Sequence, residues 1–514
     1  MSAPPDAKLS QQSKQAPGAQ SPIVLGLAPT ASLPPNTPAP DTPAPGSPAP
    51  GSPAPAVLLP QMLSRHGIIC GATGTGKTVT LRYLVEQLRE RGIATMVTDL
   101  KGDLSGLGAA GGDSDKVQQR LPLFGLDQHY YRAFPLNLWG HGGLPMRTTP
   151  SELGPELIGR MLQLNANQQG LMQLLFHIAD QQGLLLLDWK DLLALINYAD
   201  LNRKALLPEY GTISPASLGA IKRKFLALQT QGADPLFGEP ALDLNDLIQS
   251  DHIHLLDASD MQPAVYSILL LWLLAELYEN LPETGDSALR LVLFFDEAHL
   301  LFDDLPKTLR EEVEQIVKLI RSKGVGIFFI TQNPLDIPED ILAQLGNRIQ
   351  HALRAYTPNE QRAVKAAANS FRTNPHMDTA KVIGELGVGE ALVSCLDDNG
   401  VPSPVARVLI HPPASRLSPL NERERAALLK ASPLKPKYAQ KLDRESAYEQ
   451  LQQRRAQLEQ TEKSVAMESR PAKKVATSTS ALEKSFNQMA TSFGRQVGRE
   501  LMRGLMGALT GRKR

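Results

Sequence analysis

The sequence predicts an α/β protein built on a central, mostly parallel sheet, and three observations carry that prediction. From Gly67 to about Pro412, short apolar runs alternate with amphipathic stretches of helical period, the pattern of parallel strands joined by helical crossovers. The first run, GIIC (67–70), leads directly into the glycine-rich GATGTGKT (71–78). A later run, LVLFFDEAHLLF (291–302), delivers two adjacent acids at its end.

Residues 1–56 are predicted to be a largely disordered Pro/Ala-rich segment, since the near-repeat PAPGSPAPGSPAP has too little apolar area to offset the entropy of ordering. SPIVLGLAP before that repeat and AVLLP after it both read as short strands. A two-strand element carrying a disordered insertion therefore stands beside a plain tail. GIIC is a buried strand, TVTLRYLVEQLRERG (78–92) an amphipathic helix closed by Gly92, and ATMVT (94–98) a second strand. HIHLLD (252–257), LRLVLFF (289–295), GVGIFFI (324–330) and IQHAL (349–353) complete the expected strands. Between about 150 and 250 a helical insertion interrupts them, with segments such as QGLMQLLFHIADQQG. YSILLLWLLAELY (266–278) is too short to span a bilayer and carries Glu276, which fits a buried helix. The expected organisation is thus one α/β core at 57–430, followed at 431–514 by a charged helical region and a basic amphipathic tail.

Composition narrows the class. The chain has 514 residues, 42% of them hydrophobic, enough for a sizeable core. Its 53 basic and 53 acidic residues cancel, which excludes a global field drawing it to nucleic acid and leaves only local patches. Cys70 and Cys395 are too few for a disulfide framework, and neither belongs to a metal-ligand cluster. No basic flank precedes an apolar stretch at the N-terminus. A soluble protein of the reducing cytoplasm is expected.

GATGTGKT satisfies G-x-x-x-x-G-K-[ST] between a strand and a helix, the context that pattern requires. Gly71, Ala72, Thr73, Gly74, Thr75 and Gly76 form a loop whose N–H groups can turn toward phosphates, with the positive end of the following helix behind them. Lys77 is expected on the β- and γ-phosphates and Thr78 on Mg²⁺, which implies ATP and Mg²⁺ as ligands. Asp296 is placed to hold Mg²⁺ through water, and Glu297 to orient and deprotonate the attacking water. Gln332, in GVGIFFITQNP, stands just past the next strand where it can sense the γ-phosphate. Arg321 closes the helix EEVEQIVKLIRSKG and is a candidate finger for a neighbouring subunit's γ-phosphate. Arg348 and Arg354 are weaker candidates for that role. Asp99 and Lys101-Gly102-Asp103 crowd the same carboxyl edge, where Asp99 is expected to support the phosphate loop rather than to act on substrate.

Together these residues resemble the HerA/FtsK branch of the P-loop ATPases, nearest to bacterial HerA-like helicases of the YjgR-like type. The resemblance rests on RHGIICGATGTGKT, VTDLKGDL, LVLFFDEAHLLF, RSKGVGIFFITQNP and ELGVGEALVS, and covers roughly residues 57–450. It implies a RecA-like P-loop NTPase fold, a hexameric ring with ATP between subunits, and DNA threading in its better-known members. It also implies Lys77 and Thr78 as phosphate and Mg²⁺ ligands, Asp296 and Glu297 as the hydrolytic pair, Gln332 as sensor and Arg321 as trans finger. The N-terminal β-barrel of HerA is not expected here, because half of the short segment before the core is low in complexity.

The letters Asp296-Glu297-Ala298-His299 also name a class of RNA helicases, but such an enzyme needs a second motor domain after them. Here TQNP follows, the core ends about 115 residues past His299, and Ala298 and His299 read as the start of the next helix. Candidate DNA contacts are Arg203-Lys204 and Lys222-Arg223-Lys224 in the insertion. From Lys484 to Arg514 the tail holds seven basic residues against one acid, a candidate surface for subunit docking, a membrane, a protein partner or nucleic acid. The leading expectation is a ring-forming DNA translocase or helicase; the alternative is a remodelling ATPase acting on protein or at a membrane without DNA.

Overall fold

The apolar runs bounded by turn residues form strands. In chain order these are β1 (Ile23–Ala28), β2 (Ala54–Leu58), β3 (Gly67–Cys70), β4 (Ala94–Asp99), β5 (Leu136–Gly140) and β6 (Ile253–Asp257). They continue with β7 (Leu291–Phe295), β8 (Val325–Thr331), β9 (Asn347–Gln350), β10 (Glu390–Ser394) and β11 (Ala406–Ile410). The computed structural model describes residues 21–28, 54–249, 251–284, 289–302 and 307–468.

All eleven strands join one sheet in the order β2-β1-β11-β10-β9-β3-β8-β7-β4-β6-β5. From β9 to β5 every neighbouring pair is parallel. From β9 out to β2 every pair is antiparallel. The fold is therefore α/β with a mostly parallel sheet, as expected, but it carries an antiparallel flank that periodicity did not reveal. β1 and β2 pair with each other at that flank, so of the two readings of the N-terminal region the two-strand element is the one observed. The repeat between them, residues 29–53, lies outside the described residues.

Both faces of the sheet are covered. On β7, Leu291, Leu293 and Phe295 face one core, and Val292 and Phe294 the other, which follows from the two-residue period of a strand. The first core is closed by the apolar helix Pro263–Asn280 and by the helical insertion, whose helices run from Pro150–Met161 to Leu244–Ile248. The helix Lys77–Glu90 covers the second. The helix Pro263–Asn280 is buried along most of its length, and no helix among the described residues is long and apolar enough to cross a membrane.

The chain divides into two units, Met1–Leu451 and Gln452–Arg514. The first extends beyond residue 430 because its last segment is tied to the insertion. Lys437 Nζ pairs with Asp243 and Asp246 at 2.9 and 2.7 Å, and Arg444 Nε donates to Glu239 at 2.7 Å. In the second unit, helix continues to Glu468, with Arg455 Nε 3.0 Å from Glu459. The basic tail from Lys484 lies outside the described residues.

Candidate nucleotide site

Parallel strands place their carboxyl ends on one edge, and that edge gathers the predicted residues. The loop after β3 is pinned from two sides: Ala72 N donates to Ala352 O at 2.8 Å, and Gly389 N to Thr75 O at 2.8 Å. Two of its glycines are sterically required. Gly71 has φ +153° and a Cβ there would lie 2.5 Å from the His351 Cβ; Gly76 has φ +122° and a Cβ there would lie 3.1 Å from the Gly389 Cα. The helix Lys77–Glu90 starts immediately after, so its unpaired N–H groups face the loop.

Lys77 is buried, and its ammonium folds over the loop to donate to Gly71 O and, at 3.1 Å, to Ala72 O. Burial holds its pKa below the ordinary lysine value, and the nearby Lys101 charge adds to the effect. Thr78 follows in the first turn, half-buried. At the end of β7, the Asp296 backbone is locked by Thr98 and Tyr266: Tyr266 OH donates to Asp296 O at 2.8 Å, and Asp296 N to Thr98 Oγ1 at 3.3 Å. Burial pushes the Asp296 carboxyl up to about 7, with Glu297 and Asp99 adding to the rise and Lys101 opposing it. Asp296 at the end of β7 and Thr78 in the first turn of the helix each carry a hard oxygen donor of the kind Mg²⁺ prefers.

Glu297 sits at φ +47°, a left-handed conformation that costs a non-glycine residue on the order of 1–3 kcal/mol. The turn carries its carboxylate into a network. Lys101 Nζ lies 2.5 Å from Glu297 Oε1, and Gln332 Nε2 donates to the same oxygen at 3.2 Å. Thr73 Oγ1, on the phosphate loop, donates to Gln332 Oε1 at 3.1 Å. Burial raises the Glu297 carboxyl, but Lys101 and Gln332 outweigh it and hold the group below the usual glutamate range. His299 Nδ1 stands 3.3 Å from Glu297 Oε2, so this histidine borders the site as well as opening the next short helix.

Asp99, expected to support the phosphate loop, instead holds the backbone of the turn that follows β4. Its carboxylate accepts from the N–H groups of Lys101, Gly102 and Leu104 at 3.1, 2.8 and 2.7 Å, which folds the turn that presents Lys101. Sequence reasoning placed Lys101 at this edge without giving it a partner; the KGD turn beside the loop was the available signal. It missed His351, whose Nδ1 donates to Glu390 O and whose Nε2 accepts from Thr80 Oγ1, each at 2.8 Å, and which forms the floor of the loop. β9 ends at Gln350 rather than at residue 353 because His351 and Ala352 leave the strand to hold this loop.

Arg321 is not part of this constellation. The helix Lys307–Leu319 gives way to a 3-10 turn, Ile320–Lys323, and Arg321 lies there, ahead of β8 and so at the opposite edge of the sheet. Arg348 spends its guanidinium on Leu345 O and Leu342 O at 3.1 and 2.9 Å, while Arg354 is exposed past the end of β9. In the insertion, Lys222 Nζ donates to Asn197 Oδ1 at 2.8 Å, Lys224 to Gln163 O, and Arg203 Nε to Asp200 O at 2.9 Å. Arg223 and Lys204 remain exposed.

A mostly parallel sheet, a phosphate loop between strand and helix, and paired acids two strands away define a P-loop ATPase. The chain belongs to the family described as Helicase HerA-like C-terminal, which matches residues 48–514. No curated protein matches it. Among solved structures it is similar to the bacterial conjugative coupling protein TrwBdeltaN70, at 14% identity and TM-score 0.47 over 69% of this chain and 87% of that one. VirB4 of Thermoanaerobacter pseudethanolicus is similar at 15% identity and TM-score 0.44, over 67% of this chain and 89% of that one. The genome packaging NTPase B204 from Sulfolobus turreted icosahedral virus 2 follows at 12% identity and TM-score 0.29, over 68% and 99%.

Proposed function

We propose that this HerA-like ATPase is a cytoplasmic, ring-forming motor that hydrolyses ATP to translocate or unwind DNA. The observation that carries the chemistry is the chain of contacts from Lys101 through Glu297 and Gln332 to Thr73, laid across the carboxyl edge beside Lys77. The loop from Gly71 to Gly76 and Lys77 would hold the triphosphate, and Thr78 and Asp296 the metal. Mg²⁺, when bound, neutralises charge on the β- and γ-oxygens.

Glu297 takes a proton from a water positioned with the help of Gln332. The water oxygen bonds to the γ-phosphorus while the bond from that phosphorus to the β–γ bridging oxygen breaks, and ADP leaves with the electron pair. Arg321 lies at the opposite edge of its own sheet, so it can reach a γ-phosphate only in a neighbouring subunit. The finger role therefore goes with an oligomer of shared sites, which we take from the family to be a hexamer.

DNA as the substrate rests on family membership and on the exposed Arg223 and Lys204. The test is the ATPase rate with and without single- and double-stranded DNA at several salt concentrations, alongside the mass of the particle. Stimulation by DNA that fades steeply with salt is expected. Hydrolysis indifferent to every DNA form, with binding to liposomes or a protein partner instead, would replace the motor reading by the remodelling one.

A further inference from the structure

Resting on that ATPase reading, we propose that Lys101 is a second lysine of the γ-phosphate site: it gives up Glu297 for a γ-phosphate oxygen as the triphosphate enters, and stabilises the charge that develops there during cleavage. Its place is set by backbone rather than by its own packing. Asp99, fully buried at the end of β4, caps the turn through three N–H groups, so the Lys101 Cα is fixed at the carboxyl edge. The side chain itself is 43% exposed and is free to swing without disturbing the core.

The contacts it makes are incompatible with turnover as they stand. Glu297, with only 7% of its side chain exposed, is held by the Lys101 ammonium at 2.5 Å. The oxygen so paired, Oε1, also accepts from Gln332 Nε2 at 3.2 Å, so it is fully occupied and closed to a water. Thr73 and Gln332 close the same space from the loop side at 3.1 Å. A γ-phosphate seated above the loop must part Thr73 from Gln332, and it brings negative charge toward Asp296 and Glu297. The ammonium paired with Glu297 is that of Lys101, whose charge also acts on Asp296. Transferring it from carboxylate to phosphate frees the base and offsets the new charge in one motion, a task suited to a flexible point charge.

The test compares wild type with Lys101→Met, Lys101→Arg, Glu297→Gln and the double variant Lys101→Met/Glu297→Gln. Affinities are measured for ADP, for ATPγS and for ADP with aluminium fluoride, together with kcat and KM. In Lys101→Met, ADP binding is expected to stay within about twofold, whereas the aluminium fluoride complex weakens about 100-fold or more and kcat falls about 100- to 1,000-fold. Lys101→Arg should recover most of the ATPγS affinity. Glu297→Gln should bind ATPγS more tightly than wild type, since Lys101 is no longer shared, and the double variant should lose that gain. Retained ADP binding shows that a variant is folded; should Lys101→Met not fold, the Glu297→Gln and Lys101→Arg affinities decide alone.

Aluminium fluoride binding that survives Lys101→Met while kcat falls would overturn the proposal and leave Lys101 as a positioning residue for Glu297. Equal loss for ADP and ATPγS would overturn it too. A wild-type protein that neither binds nor hydrolyses ATP is the failure of the underlying reading, and is distinct from both.

Discussion

Gln332 joins the end of β7 to the phosphate loop: its amide nitrogen donates to Glu297 Oε1 at 3.2 Å, and its amide oxygen accepts from Thr73 Oγ1 at 3.1 Å. A side chain so placed can pass the presence of a γ-phosphate from the loop to the base. Gln332→Ala should therefore lower kcat by about 100-fold while leaving ADP affinity near wild type, the loss expected for an orienting polar group. Steady-state kinetics with ADP inhibition checks this. A raised KM at unchanged kcat would assign Gln332 to binding alone.

Lys77 and Glu297 should separate binding from chemistry. Lys77→Ala removes the ammonium that lies over the loop, so ATP affinity is lost along with turnover. Glu297→Gln keeps the shape of the base but cannot take a proton, and kcat should fall about 100- to 10,000-fold with ATP still bound. Nucleotide binding by fluorescence, set beside phosphate release, distinguishes the two.

Arg321 should act in trans. Arg321→Ala alone is expected to reduce kcat by about 1,000-fold or more, the range of an arginine finger. Mixing it with Glu297→Gln protein should restore part of the activity, because an interface where the Arg321→Ala subunit supplies Glu297 and the Glu297→Gln subunit supplies Arg321 has both intact. Mixed assemblies as inactive as either parent would confine Arg321 to its own subunit's fold.

Glu86, on the helix Lys77–Glu90, is fully buried and accepts from Ala414 N at 2.8 Å, Ser415 N at 3.0 Å and Ser415 Oγ at 2.6 Å. It holds the chain leaving β11 against the helix that carries the phosphate loop. Glu86→Ala strands those donors and should cost about 3 kcal/mol in denaturant unfolding. A change below about 1 kcal/mol would mean that water replaces the carboxylate.

His254 supplies a pH test of the core. Its Nδ1 accepts from Trp139 Nε1 at 3.0 Å, and its Nε2 has no partner among the described residues. Burial depresses its pKa to about 3, with His252 adding to the effect and Asp246 opposing it. The unfolded chain protonates near 6.5, the folded one only near 3, so this group's contribution is full above 6.5 and is lost as pH falls through that window. His254→Asn keeps an acceptor for Trp139 but cannot charge. Between pH 6 and pH 4 the variant should lose stability less steeply than wild type, by on the order of 1 kcal/mol per pH unit. The raised Asp99 and Asp296 act in the opposite sense in both proteins and cancel in the comparison.

Most of the parallel sheet was legible because buried strands are short apolar runs and its crossovers have helical period. GIIC, ATMVT, LVLFF and GVGIFFI all became strands, and the loop, Asp296, Glu297 and Gln332 lie at their carboxyl ends. β5, β10 and β11 escaped because LNLWG, EALVS and ARVLI are five residues each, mix polar with apolar positions, and become strands only by pairing with distant partners. The sequence by itself determined the fold class, the phosphate loop and the acids, since each depends on residue types at fixed local spacing. Tertiary structure alone decided that Lys101 meets Glu297, that Gln332 reaches Thr73, and that Arg321 stands at the far edge. Those relations depend on which strands lie side by side, and that order is settled by burial on both faces of the sheet rather than by any local pattern.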